Sequence, residues 1–84
     1  MNAAQSRAGR GLIQMSQGEL AKAARLGLST VVDFELSRRE VSEKAIAAIR
    51  SALEAAGVEF IPANGGGPGV RIKNGGYSNG QGSR

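Results

Sequence analysis

Ser29, Thr30 and Asp33 stand among aliphatic residues in the stretch LSTVVDFEL, near the middle of this 84-residue sequence. The two hydroxyl groups donate and accept hydrogen bonds, and a carboxylate accepts from the amino group of cytosine. Aliphatic side chains contact the methyl group of thymine. If the stretch is helical, these groups share one side and match the chemistry of DNA base edges. The predicted base-contacting residues are Leu28, Ser29, Thr30, Val32 and Asp33.

Positively charged residues flank this stretch on both sides. The whole chain has 11 Lys and Arg against 7 Asp and Glu, a formal net charge of +4. Most hydrogen bonds at a protein–DNA interface go to phosphates and sugars, and basic side chains and helix N-termini provide many of them. The predicted phosphate-contacting residues are Gln17, Lys22, Arg25, Arg38 and Arg39.

The residue types that are missing exclude most other chemistry. The chain has no Cys and no His, so it lacks thiolate nucleophiles, the commonest zinc ligands and the commonest general base. The loop NGGGPG lacks the Lys and the helix start of a phosphate-binding loop. We therefore expect no enzyme activity, cofactor, metal or small-molecule ligand. No apolar run approaches the roughly 20 residues of a membrane span, and no secretory leader is present, so we expect a cytoplasmic protein without a membrane partner.

Two short helices joined by a tight corner are predicted to position the candidate residues. The second helix of the chain begins after Ser16, because Ser16 and Glu19 have the spacing of a capping box. Its predicted inward residues are Leu20, Ala21 and Ala24. Gly27 is predicted to be the flexible residue of the corner. The third helix is predicted over residues 28–36. Its predicted buried residues are Val31 and Phe34.

One further helix on either side completes the predicted bundle. The first covers residues 3–13. Its predicted inward residues are Ala4, Ala8, Leu12 and Ile13, and its outward residues are Arg7 and Arg10. The fourth covers residues 43–56, where Ser42 caps the start and Gly57 closes the end. Its predicted inward residues are Ile46, Ile49 and Leu53.

After Gly57 apolar and polar residues alternate, which is typical of β-strands. The pattern predicts a β-hairpin over residues 58–61 and 69–73, joined by the loop PANGGGPG. A lone hairpin is barely stable in water, so it must pack on the fourth helix, pair with a second copy, or both. The predicted homodimer interface consists of Val58, Phe60, Val70 and Ile72, with the Ala-rich side of the fourth helix as the alternative surface. The Gly-, Ser- and Asn-rich residues 74–84 predict a disordered tail.

The stretch SQGELAKAARLGLSTVVDFE resembles the helix-turn-helix of XRE regulators, the λ-repressor and Cro type, whose pattern is S-Q-x-x-L-A, a turn, then T-[VI]-x-x-[FIW]-E. The matching residues are Ser16, Gln17, Leu20, Ala21, Thr30, Val31, Phe34 and Glu35. The segment GVEFIPANGGGPGVRI also resembles the ending of small bacterial regulators of this group. The resemblance covers residues 7–73 and implies a helix-turn-helix fold and DNA binding. We expect Glu35 to pair with Arg10 or another basic residue instead of contacting DNA.

Three positions depart from the family pattern. The family usually has Gly where this chain has Arg25, a Ser helix cap where it has Gly27, and Gly after the F-E pair, where this chain has Leu36 and Ser37. Glycine caps a helix within a few tenths of a kcal/mol of serine. These departures therefore affect DNA contact at the corner more than they affect the fold.

The expected protein is mostly α-helical, with a four-helix helix-turn-helix domain at 1–57, the hairpin at 58–73 and the tail at 74–84. One function is a sequence-specific transcriptional regulator, a small dimeric repressor or autoregulator that reads a palindromic operator through the major groove. Its partners are double-stranded DNA and a second copy of the chain. The alternative is an antitoxin-like or anti-activator module that binds another regulatory protein. Exposed Val32 and Leu36 beside Asp33 favour this alternative more than an Arg-rich helix would.

Overall fold

The computed structural model describes residues 1–73 of the chain. In chain order, the elements are α1 (Ala3–Ile13), α2 (Gln17–Ala24), α3 (Leu28–Glu35), α4 (Glu43–Ala55), β1 (Val58–Ile61) and β2 (Gly69–Ile72). The predicted helical domain followed by a hairpin is confirmed, although α3, α4 and β2 each end one residue earlier than predicted. The predicted disordered tail lies outside the described residues. None of the described helices is long and apolar enough to cross a membrane.

Side chains at the helix starts explain where three of the four helices begin. Ser16 Oγ accepts the N–H of Glu19 at 3.0 Å, and Glu19 Oε1 accepts the N–H of Ser16 at 2.8 Å. This is the predicted capping box, which satisfies two backbone donors at once. Asn2 and Gln5 form the same reciprocal pair at the start of α1, which was not predicted. Ser42 caps α4 by accepting a backbone N–H from its first turn, as predicted.

The corner between α2 and α3 differs from the prediction, which assigned the flexible position to Gly27. Arg25 instead adopts the left-handed conformation, with φ 59° and ψ 44°, and its N–H bonds to the carbonyls of Ala21 and Lys22. A left-handed residue directly after a helix lets the chain turn back and satisfy the last carbonyls. Gly27 has extended backbone, with φ −70° and ψ 150°, and precedes α3 without a side-chain cap. The corner therefore bends one residue after α2, at Arg25.

The core lies where α2, α3, α4 and β1 meet. Its fully buried aliphatic side chains are Leu20, Val31, Ile49, Leu53 and Val58. The predicted inward positions of α2, α3 and α4 are thus confirmed, except that Ala24, Phe34 and Ile46 are only half-buried. Burying a side chain of this size stabilises the folded state by roughly 1.5–3 kcal/mol. This small cluster holds α3 against the rest of the bundle.

The buried side of α1 was predicted wrongly, except that Ile13 is half-buried and packs against the core. Ala4 and Ala8 are exposed, and Leu12 keeps 38% of its surface accessible. The residues that α1 buries are Gln5, Ser6 and Gly9. Arg10, predicted to face outward, is half-buried, while Arg7 is exposed. The helix is therefore rotated so that its small and polar residues face the protein.

Close approach and hydrogen bonding explain this rotation of α1. A Cβ atom at Gly9 would lie only 3.3 Å from Val58 Cγ1, so glycine lets α1 lie directly against β1. Gln5 Nε2 donates to the carbonyl oxygen of Gly69 at 3.0 Å and to that of Ile61 at 3.4 Å. A buried amide is tolerated when it is hydrogen-bonded in this way. Neither effect follows from the spacing of apolar residues, on which the prediction depended.

The hairpin lies on α1 and α4. Its antiparallel register pairs Val58 with Ile72, Glu59 with Arg71, Phe60 with Val70, and Ile61 with Gly69. The predicted hairpin is therefore confirmed, and its register places the apolar residues of the two strands opposite each other. Phe60, Val70 and Ile72 are half-buried, but Val58 has no exposed surface. Val58, which was predicted to contribute to a dimer interface, therefore belongs to the core of the single chain, because Gly9 leaves room for it against α1.

Glycine-to-alanine substitutions in α1 test the close approach of α1 and β1. A Cβ at Gly11 would have no neighbour within 4 Å, so G11A should stabilise the protein by about 0.5–1 kcal/mol through helix propensity. G9A should gain less or lose stability, because its methyl group would lie 3.3 Å from Val58 Cγ1. G9L should destabilise by about 1–3 kcal/mol. Urea denaturation measures these differences, and equal gains at both glycines would contradict the close packing.

Candidate nucleic-acid interface

The outer side of α3 is accessible along its length. Ser29 is exposed, and 53% of the surface of Leu28 is accessible. Thr30, Val32 and Asp33 are half-buried, so each keeps part of its side chain at the surface. The opposite side of the helix is fixed in the protein by Val31 and Glu35. All five predicted base-contacting residues therefore have accessible surface on one short helix.

Exposed basic residues lie near both ends of α3. Lys22 stands in the last turn of α2, and Arg25 lies in the corner that leads into α3. Arg38 and Arg39 follow the end of α3, where the left-handed residue Ser37, with φ 55°, turns the chain. These four cations were predicted to contact phosphates, and their side chains are all accessible for that role.

Asp33 is paired with the basic residues that follow α3. Arg39 Nε donates to Asp33 Oδ2 at 2.9 Å, and Arg38 Nη1 lies 4.0 Å from Asp33 Oδ1. The structure thus joins a predicted base contact to two predicted phosphate contacts. Ion pairs at the surface contribute roughly 0–1 kcal/mol, so a phosphate or a base competes readily for either partner. In the free protein, the pair neutralises the only acid on the outer side of α3 within residues 1–73.

The Gln17 side chain is turned into the protein, although it was predicted to contact a phosphate. Its Nε2 donates to Glu35 Oε1 at 3.0 Å, and the residue is half-buried. Gln17 is also the first residue of α2, where backbone N–H groups have no partner within the helix. The groups of Gln17 that remain accessible to an anion are therefore those of its backbone, at the positive end of the helix dipole, more than its side-chain amide.

Glu35 is the most heavily hydrogen-bonded side chain in the described part of the chain. Arg10 approaches it with two nitrogens, Nε at 2.9 Å from Oε2 and Nη2 at 2.7 Å from Oε1. Ser6 Oγ donates to Oε2 at 2.5 Å, and Gln17 adds its bond to Oε1. Arg7 donates to the backbone carbonyl of Glu35. The predicted pairing of Glu35 with Arg10 is confirmed, and the carboxylate connects α1, α2 and α3.

The Glu35 carboxyl group is ionised inside the protein. Burial is the largest influence on its pKa and raises it, because removal from water disfavours the charged form. Hydrogen bonds from Arg10, Ser6 and Gln17, together with the charge of Arg10, act in the opposite direction. Their sum is larger, so the pKa of Glu35 lies below its ordinary value. The group is therefore an anion at neutral pH, and each of its donors has a charged acceptor.

Ser6 was missed in the sequence as a member of this cluster, and the pairing of Arg10 was predicted correctly but its orientation wrongly. Ser6 was given no role, and Arg10 was placed outward as the expected partner of Glu35 at the same time. Those two expectations conflict, because an outward arginine on α1 does not reach a buried carboxylate on α3. A buried carboxylate needs a cation beside it. Placing Arg10 beside Glu35 would have turned the predicted α1 so that Ser6, one turn before Arg10, also faced α3.

No protein-family model and no curated protein matches this chain. The likeness to XRE regulators therefore stands on the motif residues of α2 and α3 and on the hairpin segment.

Protonation of Glu35 should destabilise the protein. Because the pKa of Glu35 is lower in the folded chain, its stabilising contribution is fully present above the ordinary value of about 4.3 and is lost as the pH falls through the folded value. E35Q should remove this part of the acid dependence. At neutral pH it should cost about 3 kcal/mol or more, because Arg10 is left half-buried without its anion. Urea denaturation of both proteins between about pH 3 and 7 measures the effect.

The exposed Glu40 provides the matched control. E40Q removes one carboxylate of the same type without touching the buried cluster, so it should keep the acid dependence of the wild-type chain. If E35Q also kept that dependence, the stability at low pH would be governed by other carboxylates.

Proposed function

We propose that this chain is a sequence-specific DNA-binding transcriptional regulator that reads the major groove with the outer side of α3. The observation that carries the proposal is the division of α3 into two sides. Val31 and Glu35 fix its inner side in the protein, while its outer side keeps accessible surface along its length. A short helix held in this way after a corner is the arrangement that helix-turn-helix proteins insert into the major groove.

Electrostatics favour a nucleic-acid partner for this surface. Lys22 and Arg25 precede α3, and Arg38 and Arg39 follow it, so cations lie near both ends of the helix. The single acid of this surface, Asp33, is already paired with Arg39. Each phosphate that a basic residue neutralises releases condensed counterions, which makes the affinity strongly salt-dependent. The formal net charge of +4 acts in the same direction.

The outer side of α3 offers few bidentate contacts, which limits the specificity of one copy. Ser29 and Thr30 supply hydroxyl groups that bond to more than one base, and Leu28 and Val32 suit the thymine methyl group. Two copies on a palindromic operator multiply these contacts, with half-sites about 34–36 Å apart. A dimer that occupies such an operator acts most simply as a repressor, including of its own gene.

A salt titration of DNA binding tests the proposal. Duplexes selected from a random pool should bind more tightly than random duplex, and log affinity should fall linearly with log salt. The double variant R38Q/R39Q should reduce the slope by about 2 per copy if each arginine contacts one phosphate. Fluorescence anisotropy over a range of salt concentrations measures both quantities.

R50Q is the control for that experiment. Arg50 is an exposed arginine on α4, paired with Glu54 at 3.0 Å, so its loss lowers the net charge by one without altering the surface of α3. R50Q should leave the salt slope close to that of the wild-type chain. If R50Q reduced the slope by about half as much as the double variant, a general charge effect would explain both results instead of contacts by Arg38 and Arg39.

A second candidate function is a module that binds another regulatory protein, as antitoxins and anti-activators do. The specific observation in its favour is that Leu28 and Leu36 each expose 53% of their surface at the two ends of α3. Exposed leucines of this kind suit an apolar protein partner as well as thymine methyl groups.

The same selection from random duplex distinguishes the two functions. The protein-binding function predicts no enriched sequence and equally weak binding to selected and random DNA. It also predicts that L36S, at a position outside the base-contacting set, abolishes partner binding while R38Q/R39Q has little effect. Enrichment of a palindromic sequence whose binding survives L36S would exclude this second candidate.

A further inference from the structure

The outer edge of β2 presents backbone groups that have no partner within residues 1–73. In an antiparallel pair of strands, every second residue directs its N–H and C=O groups toward the neighbouring strand, and the residues between direct theirs away from it. Lys73 donates its backbone N–H to the carbonyl of Gly57 at 2.8 Å, so Lys73 is one of the residues that bond to the neighbouring strand. The N–H and C=O groups of Val70 and Ile72 therefore point away from β1. No backbone hydrogen bond between described residues reaches these four groups. An edge of this kind is a template for pairing with another strand.

Helix α1 extends this edge as an apolar surface. Ala8 and Val70 line one recess of about 220 Å³, and Leu12 and Ile72 line a second of about 460 Å³. Ala8 is exposed, and 38% of the Leu12 surface is accessible. These residues belong to the side of α1 that its apolar pattern predicted to be buried. The single chain leaves Ala8 and Leu12 of that side accessible.

The edge of β1 is different, because charged side chains of α4 stand beside it. The Arg50 guanidinium lies 5.5 Å from the centre of the Phe60 ring, and Arg50 Nε lies 3.0 Å from Glu54 Oε2. Charged side chains next to an edge oppose the addition of a further strand. On β2, the charged residue between Val70 and Ile72 is Arg71, and it is paired with Glu59 of β1 at 3.0 Å, while Lys73 follows the end of the strand. The edge of β1 is therefore the better protected of the two.

We propose that the edge of β2, together with Ala8 and Leu12 of α1, is the surface through which two copies of the chain associate. The two β2 strands pair antiparallel across a two-fold axis and form a four-stranded sheet. The open groups of Val70 and Ile72 then bond to the partner, and the apolar side of α1 is covered. This interface replaces the predicted one, since Val58 is buried in the core. The proposal rests on the proposed function only in that a palindromic operator calls for a dimer.

A second copy fits this surface better than an unrelated strand does. Stable interfaces bury about 1,200–2,000 Å² in total, which is more than the pairing of four-residue strands provides, so α1 has to take part. In a two-fold dimer the same patch meets itself, and both the strand and the adjacent helix are supplied twice. Ala8, Leu12, Val70 and Ile72 carry no charge, and Arg71, which lies between the two strand residues, is already paired with Glu59 at 3.0 Å, which reduces the repulsion between two copies.

Sedimentation velocity of the full chain without DNA, over a range of concentrations, tests the interface. The wild-type chain should reach twice the mass of the monomer. L12E should weaken dimerisation roughly a hundredfold, because the two-fold axis buries two carboxylates without partners, at about tenfold for each. L36E is the control, since it places the same charge on an exposed leucine of α3 and should leave the dimer unchanged.

Amide hydrogen exchange supplies a readout specific to the strand. The Val70 and Ile72 amides should be protected in the wild-type dimer and should exchange rapidly in L12E, while the core amide of Ile49 stays protected in both. A wild-type chain that remains monomeric, or an L12E dimer with unchanged affinity, would overturn the interface. A wild-type dimer that prefers no selected duplex would support the interface and contradict the proposed function. A monomer that binds its selected duplex tightly would do the reverse.

Discussion

The burial of one anion, the Glu35 carboxylate, is the constraint on which the arrangement of the helices depends. A charge in the interior costs several kcal/mol unless it is paired and hydrogen-bonded, so its donors must all be present together. Ser6 and Arg10 approach from α1 and Gln17 from α2, while Glu35 itself belongs to α3. Three helices therefore meet at one side chain. Rotating any of them would leave an unsatisfied charge, whereas an aliphatic contact would tolerate the same movement.

Two acids within one turn of α3 show how this constraint defines the outer surface. Asp33 and Glu35 are two residues apart, which places them about 200° apart around a helix. Glu35 is buried against α1 and α2, so Asp33 has to face outward, where Arg39 pairs with it. The same rotation turns Ser29 toward solvent. The orientation of the candidate DNA-reading side is therefore set from inside the protein, by a residue that does not reach the surface.

Local interactions were predictable from the sequence, and those that need several partners were not. The Ser16 capping box and the core positions of α2, α3 and α4 follow from spacings within one helix, and the structure has them. The rotation of α1 was missed because Gly9 is buried for its small size against β1. The left-handed conformation of Arg25 was missed because no sequence pattern distinguishes an arginine that adopts it. The pairing of Arg39 with Asp33 joins residues on either side of a turn that the sequence did not predict.

Three helix ends depend on residues with side chains in the left-handed conformation: Gln14, Arg25 and Ser37, with φ between 55° and 59°. A residue other than glycine loses about 1 kcal/mol in this conformation. The chain therefore does not use all the stability its backbone allows. Such a reserve means that changes on the outer side of α3 that weaken folding can be offset by glycine at a distant helix end. The sequence of the outer surface and the stability of the fold are thereby separable in this small domain.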